Sequence, residues 1–565
     1  MSSRSSLRDV AFALGLFILL VVFFWPVTVG NRTMLPADVL YLHQPWQAEA
    51  PGGEAVVAQN RLVTDLVLEN YVWKQFIIQC LRSGQLPLWN PYILSGLPFL
   101  AAGQHSALYP FSLVFYILPL PRAYGLFTVL QFLVAGLSLY FYARTLRLSR
   151  LAAAAGGLVF AFSGFMLVSI VFPMVIAAAA WLPYLLGVTE RLLPAVPPQG
   201  RLPLRERLRA PLPWVIIGSL GLGLQFLAGH VEFTYYSLLV LGLYALWRAI
   251  AAFRSGHRWR QALAFAGAFA TMIALGTALG AVQTIPLYEL VTQNFRQDSA
   301  TYQQIVGWAF PRRHLLAFLI PDIFGNPTHH SYVDLYTQQV LPALPDAQGQ
   351  PAIWWGIKNY VEGGAYVSLL GLFLALLGIV RRPRPQALFF IALGLFSLTL
   401  AFGLPTYRLI YALPGIKQLH SPFRWVFPYT VCMAVLAAMG VEVLRERGRL
   451  PVILGGVAIA GALTSLAVVT IARLWPARIL PLADRAVARL ALAADTFSDG
   501  RMFVSYQARN LLIFAACLLA AGLILLSARL LPGPGPARDA SRASRHTQRA
   551  TSSPSYVSRL TSYAT

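Results

Sequence analysis

Charge is scarce in this sequence. Asp, Glu, Lys and Arg make up 12% of its 565 residues while 57% are hydrophobic, against the roughly 25% charge of a soluble globular chain. With a mean hydropathy of +0.61, that scarcity excludes an ordinary soluble protein. Acid is scarcer than base, 21 Asp+Glu against 44 Lys+Arg, a net charge of +23. In a soluble chain such an excess would suggest nucleic acid. Here the basic residues cluster between apolar runs, as cytoplasmic loops facing an anionic leaflet do, so the charge belongs to topology and no nucleic-acid partner is expected. Cysteine is nearly absent. Cys80, Cys432 and Cys517 show no metal-ligand spacing. No Gly-rich phosphate loop, Ser-His-Asp arrangement or cofactor fingerprint is evident, which disfavours an ATP-driven pump and a soluble nucleotide-sugar enzyme.

What the chain does have is apolar length. About 20 helical residues cross a hydrocarbon core of about 30 Å, and runs of that kind recur from end to end. The first lies within residues 1–29, too long for a signal-peptide core and followed by no clear cleavage site. Others lie near 123–145, 151–170, 172–189, 212–229, 232–250, 262–288, 364–380, 386–403, 425–444, 451–473 and 510–530. The expected fold is therefore an all-α polytopic membrane protein of roughly 12 transmembrane helices, a single transmembrane domain over 1–531. Arginine-rich connections, "ARTLRLSR", "GRLPLRERLRA", "FRSGHRWRQ", "RRPRPQ" and "RERGRL", alternate with long ones at 30–122, 289–363 and 474–509. The positive-inside bias makes the long segments extracytoplasmic and both termini cytoplasmic. Residues 532–565, rich in Ser, Arg, Pro and Thr, read as a disordered basic cytosolic tail.

Within the first long segment, apolar residues at helical spacing between Arg61 and Arg82 predict an amphipathic interfacial helix. The stretch after it, "GQLPLWNPYILSGLPFLAAGQHSALYP", is apolar but broken by four prolines, which forbids a continuous helix. Irregular backbone at membrane depth must pack on protein or line a wet cavity. This stretch is expected to be a lid or partly re-entrant loop, with Trp89, Tyr92 and Tyr109 at headgroup depth.

The segments "LPADVLYLHQPW", "VTDLVLENYVWKQF", "LRSGQLPLWNPYILSGLPFLAAGQHSALYP", "GHVEFTYYSLL", "GAVQTIPLYEL", "PDIFGNP" and "LPGIKQLHSPFRWVF", in that order, resemble the YfhO family of bacterial membrane proteins, grouped with the GT-C glycosyltransferases. The resemblance runs to about residue 445. It implies a GT-C-like bundle in the bacterial cytoplasmic membrane, moving a sugar from a polyprenyl-phosphate donor to an envelope glycan, lipid or protein on the outer face. It also implies an acidic residue in the first outer loop. Asp38 stands there, and Asp65 matches a second acidic position. Neither has an acidic neighbour one position away, where GT-C enzymes often carry a pair, so either could be the base.

The chemistry asks for a carboxylate to take the acceptor's proton and a cation to hold the departing phosphate. Asp38 and Asp65 fit the first role by position, although each could instead cap a helix. Arg424, in "HSPFRWVF", fits the second, because guanidinium grips phosphate with two prongs; as an anchor it would instead snorkel to water. Trp89, Gln104, His105, His230, Glu232, Glu289, Asp322 and Glu362 are the candidate pocket residues, since ionisable groups near span ends usually face a cavity or a partner helix. A divalent metal ion is a candidate occupant with no assigned ligands. His329, His330 and Asp334 are adjacent enough to raise the question but lie on an irregular loop. The rival reading is a 12-span transporter or lipid flippase, for which inverted repeats and mid-membrane charges would be expected.

Overall fold

The computed structural model describes residues 3–527 apart from 52–55, 61–62, 197–202, 255–258, 294–299, 347–348, 381–384, 420 and 445–447. The tail expected from 532 and His420 lie outside the described residues. The chain is helical, with three two-stranded ribbons confined to the connecting segments.

Among the described residues, eight helices are long and apolar enough to cross a membrane: Leu120–Thr145, Arg150–Val171, Pro173–Ala195, Val231–Arg254, Trp259–Leu279, Pro422–Leu444, Leu450–Leu474 and Gly500–Ser527. Three shorter apolar helices, Leu212–Leu227, Leu369–Val380 and Pro385–Ala401, and the helix Ser3–Phe23 lie where further spans are expected, but the length and apolarity of a span are met by the eight rather than by twelve. Two boundaries differ from expectation. The run 262–288 is not one span, because the chain breaks at Gly280 between Trp259–Leu279 and Ala281–Thr292; Gly280 packs where a Cβ would lie 2.6 Å from the Phe226 side chain. The last span begins at Gly500 rather than 510, since "GRMFVSYQARN" continues the helix into the third connecting segment, where Tyr506 and Asn510 find partners.

Helix Pro422–Leu444 is the axis of the bundle and is buried nearly throughout. Small residues let neighbours approach it. A Cβ on Gly440 would sit 1.8 Å from the Leu374 carbonyl oxygen and one on Gly378 2.4 Å from that of Leu436, the close backbone crossing by which membrane helices gain van der Waals contact. Polar ties between spans are sparse and internal. Gln225 donates to the Ala178 carbonyl at 2.9 Å and to Ser237 at 2.8 Å, joining three helices. Leucines such as Leu263, Leu275 and Leu523 point outward, as lipid-facing positions would.

The long connecting segments fold against one another. Gln59 donates to the Thr328 carbonyl at 3.3 Å, and Arg313 to those of Ala491 at 2.9 Å and Trp355 at 2.7 Å. The helix expected between Arg61 and Arg82 starts as a π-helical turn, Leu66–Tyr71, and continues as Val72–Arg82. Its inward face includes the polar Asn70 and Lys74. Lys74 is 1% exposed; its ammonium donates to the His105 carbonyl at 2.5 Å and lies 4.5 Å above the Phe115 ring. Burial drops its pKa from 10.5 to about 7.

The proline-broken stretch folds as a ribbon, Trp89–Asn90 against Leu97–Pro98, a short helix, Phe99–Ala102, and a turn. Trp89 and Tyr92 are exposed, but Tyr109 is not at a surface. It is buried, donating to Gln131 at 2.9 Å and accepting from the Trp181 indole at 3.1 Å, because a phenol with two internal partners can enter the core at no loss of hydrogen bonds.

Candidate active site

One crossing positions the site. Gly103 and Gly229 both take positive φ, +77° and +94°, and a Cβ on Gly229 would lie 2.4 Å from the Gly103 carbonyl oxygen, so only glycine fits there. Ser106 donates to the Ala228 carbonyl at 2.7 Å and Gln283 to that of Leu100 at 2.6 Å. The proline-broken segment is thereby clamped onto the turn before Val231–Arg254. Gln104 and His230 consequently share a wall.

That wall belongs to an open cavity of about 570 Å³, of the size that takes small-molecule ligands. It gathers Asp65, Glu69, Asn70 and Trp73 from the first long segment, Gln104 from the clamped turn, His230 and Glu232 from the head of a span, Asn359 and Glu362 from the second long segment, and Ser421 and Arg424 from the entry to the axial helix. Six of the residues singled out by sequence, Asp65, Gln104, His230, Glu232, Glu362 and Arg424, thus meet in one place.

The others do not line it. Asp38 lies in the 3-10 helix Ala37–Leu42, where its carboxylate accepts from the Gln59 amide at 2.5 Å. Trp89 lies against the Gly96 backbone of its own ribbon. His105 is buried, with Nδ1 accepting from the Ala107 amide at 3.0 Å and Nε2 donating to the Phe99 carbonyl at 2.9 Å. Burial, helped by Lys74, lowers its pKa to about 4, so it is a neutral pin for the turn. Glu289 is exposed on Ala281–Thr292. Asp322 accepts from Tyr360 at 2.7 Å and Asn326 at 3.2 Å, within a network behind the second long segment.

Inside the cavity the acids differ. Glu232 forms an ion pair with Arg424 and accepts from Tyr236 at 2.8 Å. Asp65, Glu69 and Glu362 have no hydrogen-bond or ion-pair partner among the described residues. Partial burial, then the neighbouring Asp65 charge, holds Glu69 above its ordinary 4.5. Burial likewise raises Glu362, opposed by Lys358 and Arg424. His230 carries a buried Nδ1 without a partner among the described residues, and burial followed by the Arg424 charge keeps it neutral. Arg424 is 31% exposed and uses Nη1 for Glu232, so the rest of its five-donor fork remains for a second anion.

Sequence reasoning passed over Glu69. The signal was present, since Asp65 and Glu69 are four residues apart on a helical segment and share its face. Among the described residues no group of three or more His, Cys, Asp or Glu side chains is placed to hold a metal ion. His329 bonds Tyr506 at 2.8 Å, His330 two backbone carbonyls and Asp334 the Arg501 guanidinium at 2.8 Å. These three side chains are engaged elsewhere and form no metal site together.

No protein-family model matches this sequence, and no curated protein does. Among solved structures, the chain is similar to the crystal structure of ArnT from Cupriavidus metallidurans in the apo state, at 14% identity over 91% of this chain and 77% of that one, with a TM-score of 0.37. That likeness is too distant to fix fold or chemistry. The firm classification is an all-α, multi-pass membrane protein.

Proposed function

We propose that this protein is a GT-C-like membrane glycosyltransferase of the bacterial cytoplasmic membrane, taking a sugar from a polyprenyl-phosphate donor and passing it to a cell-envelope acceptor at the outer face. The observation that carries this reading is the shared cavity of Asp65, Glu69 and Arg424. Unpaired carboxylates and a half-available guanidinium are the groups such a transfer requires, and the resemblance to the YfhO family supports the same reading.

In this scheme Asp65 takes the proton of the acceptor hydroxyl as its oxygen bonds to the anomeric carbon. The bond from that carbon to the phosphate oxygen breaks, leaving its electron pair on the phosphate. Arg424 meets the developing charge with the donors that Glu232 does not use. Glu69 stands beside the base, and partial burial together with the Asp65 charge holds its own carboxyl above the ordinary 4.5. Gln104, Glu362 and neutral His230 present hydrogen-bonding groups to sugar hydroxyls. Asp38 supports the loop through the Gln59 amide rather than entering the chemistry. The polyprenyl chain stays dissolved in lipid, so the energy of the reaction arrives with the donor and no nucleotide is needed.

The test is reconstitution of the purified full chain in sealed vesicles with radiolabelled undecaprenyl-phosphate hexoses and an envelope extract. Consumption of a donor, with label appearing in a non-lipid-phosphate product, is the expected result. Intact donors together with protein-dependent movement of lipid or solute across the bilayer would replace this reading with the transporter or flippase one.

A further inference from the structure

A second cavity, of about 450 Å³, lies among the long connecting segments and takes no part in the chemistry above. All three segments build it, with Ala58 from the first, Pro327 to Asn359 from the second, and Leu492, Asp495 and Thr496 from the third. Its walls are pinned by polar contacts rather than draped loops. His330 bridges the Pro351 carbonyl at 2.6 Å and the Gln59 carbonyl at 3.1 Å, and Thr496 donates to the Trp354 carbonyl at 3.0 Å. Both ring nitrogens of His330 are thereby occupied, which makes it part of the frame.

The chemistry that remains for a ligand is specific. Trp354 offers an indole, Gln350 and Asn359 offer amides, Asp495 offers a carboxylate and Lys358 an ammonium. The Gln350 Oε1 is itself buried without a hydrogen-bond partner among the described residues, so that atom is not part of the surface open to a ligand. An aromatic surface with interspersed amides and acids suits a ligand that carries many hydroxyls and little net charge. It does not suit a phosphate, which would meet Asp346 and Asp495 in the same wall, nor a purely apolar chain, which would strand the amides.

The two cavities share a wall residue. Asn359 lines both, and its side chain accepts from the Val361 amide at 3.2 Å, capping the turn Tyr360–Gly363 that presents Glu362 to the first cavity. Lys358 lies one residue away, its ammonium 5.0 Å from the Phe423 ring, beside Arg424. We propose that the second cavity binds a saccharide portion of the acceptor, held at Trp354, Gln350 and Asp495, and delivers its hydroxyl past Asn359 to the carboxylates. The acceptor is then a glycan-bearing molecule. This deepens the glycosyltransferase reading and rests on it only for the word acceptor.

The experiment is an array of bacterial and general oligosaccharides probed with the detergent-solubilised full chain, wild type beside Trp354→Ala, Trp354→Phe and Asp495→Asn. The expected result is retention of a subset of oligosaccharides, weakened about tenfold or more in Trp354→Ala, the scale of losing one aromatic anchor. Asp495→Asn should weaken it too, and Trp354→Phe should restore most of it. Should Trp354→Ala fail to fold, Asp495→Asn and Trp354→Phe carry the same comparison. No retained oligosaccharide, or retention equal in wild type, Trp354→Ala and Asp495→Asn, would overturn the proposal. A failure of the transferase reading looks different, since donors would stay intact while the glycans still bound.

Discussion

Two sets of acids in this protein, one inside the helix bundle and one at the open cavity, differ in how they are partnered. Within the helix bundle, Asp9, Glu190 and Glu442 have their partners built in. Asp9 accepts from Tyr140 at 2.6 Å and pairs with Arg150 at 2.8 Å; Glu190 pairs with Arg248 at 2.7 Å and accepts from Tyr244 at 2.6 Å; Glu442 accepts from the Ser149 amide at 2.6 Å. In the cavity, Asp65, Glu69 and Glu362 have no such partner among the described residues. A chain with so few acids that satisfies one set and leaves the other open has assigned them different work. A buried charge tolerates its surroundings only when paired, so the paired set holds helices together, whereas the open set can face water and a ligand. Glu232 stands between the two, tied to Tyr236 and Arg424 yet lining the cavity.

The contrast can be broken most sharply at the paired set. Arg248→Ala would leave Glu190 in the bundle without its cation and is expected to cost about 3–5 kcal/mol, read as a large fall in the thermal unfolding midpoint of the solubilised protein. Arg424→Ala should lower the midpoint less, because Arg424 is more exposed than Arg248 and the pair borders the open cavity; a fall equal to that of Arg248→Ala would erase the distinction. Gly229→Ala, which places a methyl against the Gly103 carbonyl in a left-handed backbone, is expected to cost about 1–3 kcal/mol and to separate Gln104 from His230, seen as faster proteolysis of the segment after Gly84.

Two pH experiments give smaller effects. Lys74 binds its proton more weakly folded, at about 7, than unfolded, at 10.5, so the native state holds fewer protons between these values and wild-type stability should rise with pH across that window. In Lys74→Met the rise disappears. Glu69 has the opposite sign: its folded pKa lies above 4.5, so stability should fall as pH rises from about 4.5 through the raised value. Glu69→Gln should flatten that segment of the curve, which midpoint measurements across the pH range would detect.

Much of the bundle was legible in sequence because hydropathy and arginine spacing are properties of the chain itself. The places of Leu120–Thr145 and Pro422–Leu444 follow directly from apolar length. The break at Gly280 did not, since it depends on Phe226 in another helix. At the site, Glu232 and Arg424 could be picked because charge near a span end needs a reason, and Asp65 because the YfhO resemblance places an acidic residue there. Glu69 was hidden among the polar residues of an amphipathic pattern, although its spacing from Asp65 was readable. Lys74 and His105 show the reverse. Their polarity suggested exposure or chemistry, but each is consumed by backbone groups that only the folded turn supplies. Tyr109 likewise reads as an interfacial aromatic until its hydroxyl is seen to donate to Gln131 and accept from Trp181.

The most direct test of the open-acid account is donor turnover by Asp65→Asn, measured with polyprenyl-phosphate sugar in reconstituted vesicles beside its unfolding midpoint. The account predicts turnover reduced about 100- to 10,000-fold, the range for loss of a general base, at a midpoint within about 0.5 kcal/mol of wild type in stability terms. Turnover at the wild-type rate in Asp65→Asn would contradict it.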